Sequence, residues 1–237
     1  MGFRTTSSAV SVAAVAIAAA GFLSSSAARA ATSAASRPAQ LTGTHLLAAL
    51  LPAADFPRGF TKSNAFSTGS RLEKPQTKVN LATVSCRTFL VNLPERGYGE
   101  TAVAGDVIGN SRSQGFDQIV FQFPSTSKAA SFYRGISALY ARCRSVRVAS
   151  GGAAFSLTTQ SLTQTRVGGH ETLLVNDTIK ISGPDKILDG TTINHGLFTL
   201  AGPDVYSVDV FGTPVLPASP SRTTTVLRLI ARVQAAR

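Results

Sequence analysis

The residues best suited to chemistry are three arginines near the middle of the chain, Arg142, Arg144 and Arg147. A guanidinium grips a carboxylate or phosphate through paired donors, so arginines this close together read as an anion-binding site. The surrounding stretch supports that reading. From Gln118 to His170 there is no Asp or Glu, while Lys128, Arg134 and Arg166 add to the three arginines. A solvated helix face ordinarily mixes signs. The competing explanation is structural, because cations at a helix C-terminus complement its dipole. Pairing with distant acids such as Asp204 or Asp209 would likewise indicate no site.

Catalytic patterns are scarce. The chain has no Gly-x-Ser-x-Gly elbow, no Gly-x-x-x-x-Gly-Lys phosphate loop and no His-Glu-x-x-His. His45, His170 and His195 are the candidate general bases. Gly168-Gly169-His170-Glu171 places an imidazole beside a carboxylate, but neighbours on a strand point to opposite faces. His170 therefore reads as a turn histidine, and His195, sharing a face with Leu197, as a partly buried one. Two distant cysteines and three scattered histidines lack zinc-ligand spacing. The expectation is a chain without catalytic residues, metal or cofactor.

The first residues point to export. Met1-Gly2-Phe3-Arg4 gives a positive start, Ala9 to Leu23 is apolar, and Ala28-Arg29-Ala30 fits a small-x-small cleavage site. Residues 1–30 read as a secretory signal, with Ala31 as the mature start. An uncleaved anchor is the alternative, although the run is shorter than the ~20 residues of a span and rich in alanine. Nothing later offers a transmembrane segment. Cleavage removes Arg4 and Arg29 and no acid, so the formal charge of +11 falls by two. For an exported protein, such charge suits an extracellular small molecule or lipid, or an anionic envelope surface, rather than nucleic acid. Export also permits a disulfide. Cys86 and Cys143 are the only cysteines, and one bridge is the economical reading against two separate buried thiols.

These groups have to be positioned by the elements around them. Phe116 to Phe123 places Ile119, Phe121 and Phe123 on one face at period two, as a half-buried strand does. Pro124 ends it, and Ser125 can cap a helix whose apolar stripe is Phe132, Tyr133, Ile136, Leu139, Tyr140 and Cys143. Upstream, residues 31–41 read as a flexible leader. Thr42 or Thr44 can cap a short helix through Leu51, and a turn follows over Asp55 to Phe60. Residues 61–80 read as loop or irregular strand. Arg87 to Leu93 suits a short helix ending before Pro94, and Thr101 to Ile108 leans towards strand. Downstream, Phe155 to Leu162, Glu171 to Ile181, Thr191 to Leu200 and Tyr206 to Val210 read as strands of an antiparallel meander with short turns. Within the second of these, Leu173, Val175, Ile179 and Ile181 share a face that Asp177 interrupts. A last helix opens at Ser219-Pro220, with Val226, Leu229, Ile230 and Val233 as its stripe. The fold class expected is α+β, an antiparallel sheet with two long helices packed on it, in one domain over residues 42–237.

Leu50 to Phe60, read as Leu-Leu-Pro-Ala-Ala-Asp-Phe-Pro-Arg-Gly-Phe, resembles the opening of exported actinobacterial sensor-domain proteins. These are similar to the extracellular sensor domain of PknH-type receptor serine/threonine kinases. The order that follows is also similar: a cysteine, a strand, a helix ending in Arg142-Cys143, a late Val205 to Val210 strand and a closing helix. The resemblance implies an α+β fold with a cleft, and a role in sensing or binding an extracellular molecule. The chain departs from the kinase pattern in lacking a kinase domain and in carrying one cysteine pair where the kinase sensor domains carry two. The functional expectation is a secreted, non-enzymatic ligand-binding or sensor-like domain for an anionic amphiphile of the cell envelope. The alternatives are an envelope-interaction protein without a pocket and a hydrolase built on His170 or His195.

Overall fold

The computed structural model describes residues 39–92, 96–110, 114–150, 153–182, 190–212 and 221–237, all within the unit Pro38–Arg237. The expected signal, most of the leader, Pro94, the turns at Gly151-Gly152 and Gly183-Pro184-Asp185, and the helix start at Ser219-Pro220 lie outside these residues. Eight strands form one sheet: β1 (Thr61–Ser67), β2 (Ala102–Gly109), β3 (Gly115–Gln122), β4 (Ser145–Ser150), β5 (Ala153–Val167), β6 (His170–Ser182), β7 (Gly190–Ala201) and β8 (Asp204–Gly212). The spatial order is β1-β2-β3-β8-β7-β6-β5-β4, and every pairing is antiparallel. The expected meander is thus present, extended to fifteen residues in β5. Gly168 and Gly169, with φ of 57° and 84°, supply the two positive angles that the tight β5–β6 turn needs.

Among the described residues, four helices accompany the sheet: α1 (Gly43–Ala49), α2 (Cys86–Asn92), α3 (Thr126–Arg142) and α4 (Arg222–Ala235). The expectation of two long helices needs correction. Only α3 is long, at 17 residues, while α4 has 14 and the other two have 7 each. Thr42 caps α1, Ser125 caps α3 and Ser221 caps α4, each accepting from the amide three residues on. Helix α3 carries the chain from β3, in the middle of the sheet, to β4 at its far edge. The remaining strands return until β8 pairs with β3.

Helices lie on both faces, with α1 and α4 packing on one and α2 and α3 on the other. Strand β3 is accordingly not half-buried. Phe121 belongs to the α3 core, but Phe116 and Val120 belong to the α1/α4 core, and Gln118 and Gln122 beside them are fully buried. Burying an amide is costly unless it is hydrogen-bonded. Gln122 accepts from the Leu41 amide and donates to the Leu41 carbonyl, both at 2.8 Å. Gln118 does the same for Leu51, at 3.1 and 2.9 Å, and also donates to Asp106 Oδ1 at 2.9 Å. Two glutamines four residues apart therefore fasten both ends of the α1 segment to the sheet. The Leu50 to Phe60 motif fills the space beyond. Leu50, Leu51, Phe56 and Phe60 are buried, the Phe56 and Phe60 rings lie 4.7 and 5.8 Å from that of Phe116, and Asp55 pairs with Arg228 of α4 at 2.6 Å.

Two edge strands differ from the sequence reading. Strand β1 forms within 61–80 despite weak periodicity, with a bulge between Ser63 and Phe66 and Asn64 at φ 50°. Strand β4 is not marked by the sequence pattern, being six residues of whose described side chains Val146 and Val148 face the core.

Candidate ligand-binding site

The three candidate arginines have different surroundings. Arg142, in the last turn of α3, donates to the carbonyls of Leu81, Ala82 and Val84 at 3.2–3.3 and 2.7 Å. Its guanidinium caps a turn of the protein's own backbone. Arg144 is exposed, and its carbonyl accepts the Thr159 amide at 2.8 Å. Arg147 lines a groove of about 590 Å³ together with Phe155, Ser156, Lys180, Ile181 and Thr191. The strand register explains the polar part of that company, because Arg147 pairs with Ser156, Ser156 with Lys180 and Lys180 with Thr191 across β4 to β7, while Phe155 and Ile181 alternate to the other face. No acid is among the described lining residues.

The cysteines meet as expected. Cys86, first residue of α2, bonds to Cys143, the C-cap of α3, with Cα atoms 5.3 Å apart. The bridge fixes α2 against the end of α3, where the Phe89 and Tyr140 rings meet edge to face at 4.9 Å.

His195 sits in a polar knot on the α4 side. Asn176 donates to Ser161 Oγ, so its Oδ1 faces both Arg222 Nη1 at 2.9 Å and His195 Nδ1 at 2.6 Å. An oxygen cannot donate, which places the imidazole proton on Nδ1. Burial and then the Arg222 charge lower the His195 pKa, so the ring stays neutral at neutral pH. Arg222 also donates to the carbonyls of Val175 and Gly196, both at 3.0 Å. The group is thus an anchor for the start of α4. Arg222 has no periodicity signature and was not legible in the sequence.

On the α2/α3 face lies a second polar group. Thr159, Asp177 and Asn194 are direct neighbours across β5, β6 and β7, and Asp209 stands one row away opposite Gly196. Asp177 is 1% exposed. Its Oδ1 and Asn194 Oδ1 meet no close donor among the described residues, while the Thr159 hydroxyl stands beside the Asp177 carboxylate as a donor to it. Burial pushes the Asp177 carboxyl up to about 6. Asp209 is also raised to about 6 by burial, which a hydrogen bond from the Asn194 amide opposes and the like charge of Asp177 reinforces. Tyr140 faces both carboxylates, and burial pushes its phenol well above the usual range. Gly196 leaves the space, since a Cβ there would collide with the Asp209 carboxylate. Asp177 as the interruption of an otherwise apolar strand face was the only sequence signal of this group.

The family profile of the PknH-like extracellular domain matches residues 41–232. The chain belongs to that family. In fold it is similar to the crystal structure of the extracellular domain of PknH from Mycobacterium tuberculosis, with a TM-score of 0.58 and 16% identity, covering 84% of this chain and 99% of that one. A putative uncharacterised Mycobacterium smegmatis protein, the Rv0999 ortholog, aligns at 11% identity over 81% of this chain and 97% of that one, with a TM-score of 0.43. No curated protein matches. The resemblance read from Leu50 to Phe60 and the late strand is therefore to the right family, and the chain is an extracellular, sensor-like domain.

Proposed function

We propose that this extracellular domain is a non-enzymatic receiver of an anionic amphiphile of the cell envelope, held in the groove beside Arg147. The carrying observation is the composition of that groove. Arg147 and Lys180 supply cations, Phe155 and Ile181 supply apolar surface, and no described lining residue supplies an opposing charge. A phosphate or carboxylate headgroup would be gripped by Arg147 through paired donors, with Lys180 as a second point charge. The pleat turns Phe155 and Ile181 to the other face of the sheet, so the acyl part would reach them by rounding the end of the strands. Arg142 is left out of this reading because its donors already serve three carbonyls. The test is sedimentation with phosphatidylglycerol vesicles and with phosphatidylcholine vesicles, at low and high salt. Binding to the anionic vesicles alone, reduced by salt and by Arg147→Ala/Lys180→Ala, supports the proposal. Equal binding to both lipids defeats it.

One observation favours a second reading, contact with an anionic envelope polymer through the whole surface. Glu100, Asp106, Asp177 and Asp204 are buried, whereas Arg58, Lys62, Arg71, Lys74, Lys78, Arg96, Lys128 and Arg134 are exposed. The outer surface is more cationic than the net charge suggests. Salt-sensitive vesicle binding that survives Arg147→Ala/Lys180→Ala would favour it.

A further inference from the structure

Strand β4 covers only the first part of β5. The two pair from Ala153 to Thr158, and the Thr159 amide closes the contact by donating to the Arg144 carbonyl at 2.8 Å. A bulge between Thr159 and Ser161 follows, after which β5 runs on to Val167 paired with β6 alone. Ser161 to Val167 therefore form an outer edge of the sheet.

The register says which backbone groups this edge presents. Facing residues of an antiparallel pair alternate between those that exchange hydrogen bonds and those that turn the same groups away. Gly168 and Gly169 make a two-residue turn, so Val167 exchanges bonds with His170, and Thr165, Thr163 and Ser161 do so with their β6 partners. The amides and carbonyls of Leu162, Gln164 and Arg166 then point outwards. The outward Thr159 amide agrees with that phase, since Asp177 opposite it adjoins Asn176 opposite Ser161. Among the described residues, no hydrogen bond from another element reaches the backbone of Leu162, Gln164 or Arg166.

Sheet edges are ordinarily guarded against pairing by lysine, proline or a bulge. Strand β1 has Lys62 and a bulge between Ser63 and Phe66. Ser161 to Val167 has no lysine and no proline, and its one charged residue, Arg166, turns back to the Gly169 carbonyl of its own hairpin at 3.5 Å. The edge is also complementary to itself. A two-fold axis at Gln164 sets that residue against its own copy, Leu162 against Arg166 and Thr163 against Thr165. Each outward residue then meets an outward residue, and the paired backbones exchange their bonds. No like charges face each other, the arginine stem covers the leucine, and threonine pairs are favourable on a sheet.

We propose that Ser161 to Val167 is a dimerisation edge, which pairs antiparallel with the same segment of a second copy and joins two sheets into one. A second copy is the partner that fits, because a single symmetric register satisfies every outward group without opposing charges. The edge is independent of the Arg147 groove. A strand edge is a small interface and the formal charge of each chain is +11, so the dimer is weak and salt strengthens it.

The experiment is sedimentation velocity of the purified protein at concentrations up to ~1 mM, at low and moderate salt. A monomer–dimer equilibrium that shifts towards dimer with concentration and with salt is expected. Gln164→Lys and Gln164→Glu each put like charges on the two-fold axis and should each weaken association at least tenfold, whereas their equimolar mixture should form the heterodimer. Recovery in the mixture separates loss of the contact from loss of the fold. Amide hydrogen exchange at high concentration should slow at Leu162, Gln164 and Arg166 but not at Thr163 or Thr165, which are already bonded to β6. A single monomer at every concentration, a dimer unaffected by Gln164→Lys, or a mixture no more associated than either variant alone would overturn the proposal.

Discussion

The two faces of the sheet treat buried polar groups differently. On the α1/α4 face, Asp106 meets Lys62 at 2.5 Å and receives the Gln118 amide, while Asp204 accepts from Tyr206 and from Arg237, the last residue of the chain. These groups close the fold, fastening the start and the end of the domain to the central strands. On the α2/α3 face, Asp177 is as deeply buried as Asp204, at 1% exposure each, but among the described residues it has no ion pair and only the Thr159 hydroxyl beside it. Equal burial with unequal partnering separates polar groups that hold the structure from polar groups held by it. A partnered buried polar group costs stability when it is removed. An unpartnered one costs stability by being present.

That contrast can be tested from the largest effect downwards. The Cys86–Cys143 bridge ties α2 to α3 across a separation of 57 residues. Its removal by Cys86→Ser/Cys143→Ser should lower unfolding free energy by about 4 kcal/mol in the chain-entropy account. Urea midpoints would show it, and a loss under about 1 kcal/mol would mean the bridge adds little to a pre-formed interface. Gln118→Ala should come next, with a loss of about 3 kcal/mol, because it strands the Leu51 amide and carbonyl and one oxygen of Asp106. A cost near zero would show that the glutamine is not a fastener.

Asp177→Asn should act in the opposite direction. The carboxyl titrates at about 6 in the fold against 3.8 for the ordinary group, so the native state holds its proton more tightly. Stability from this group is therefore full below pH 3.8, falls as pH rises through 3.8 to 6, and stays reduced above that window. The variant should be more stable than wild type at pH 7, by on the order of 1–3 kcal/mol, and similar to it at pH 3.5. Thermal unfolding at the two pH values checks this, and a destabilised variant at pH 7 would remove the contrast. The smallest effect is expected for Arg142→Ala, about 1 kcal/mol from lost hydrogen bonds at a largely exposed site.

The legible parts of the molecule were those where side-chain pattern and burial agree. Ser125, the α3 stripe and the alternation of Tyr206, Val208 and Val210 each specify an element by themselves, and the cysteine count specified the bridge. Strand β4 was missed because, at the sheet edge, two of its described side chains face the core, which leaves little period to read. Gln118 and Gln122 read as a solvent face because the sequence does not show that a second helical layer covers them. The candidate site was divided in the same way. Arg142, Arg144 and Arg147 are conspicuous by charge, but the turn carbonyls that occupy Arg142 and the Lys180 that accompanies Arg147 come from distant stretches. Asp177 left one trace, a charge at an apolar strand position.

The central claim is that the extracellular domain takes an anionic amphiphile through Arg147 and Lys180. Its most direct test is calorimetric titration with monomeric dodecyl phosphate, and with dodecanol as the uncharged counterpart. The account predicts saturable binding of dodecyl phosphate, weakened at least tenfold in Arg147→Ala/Lys180→Ala and unchanged in Arg142→Ala. Equal affinity for dodecanol, or equal binding by all three proteins, would contradict it.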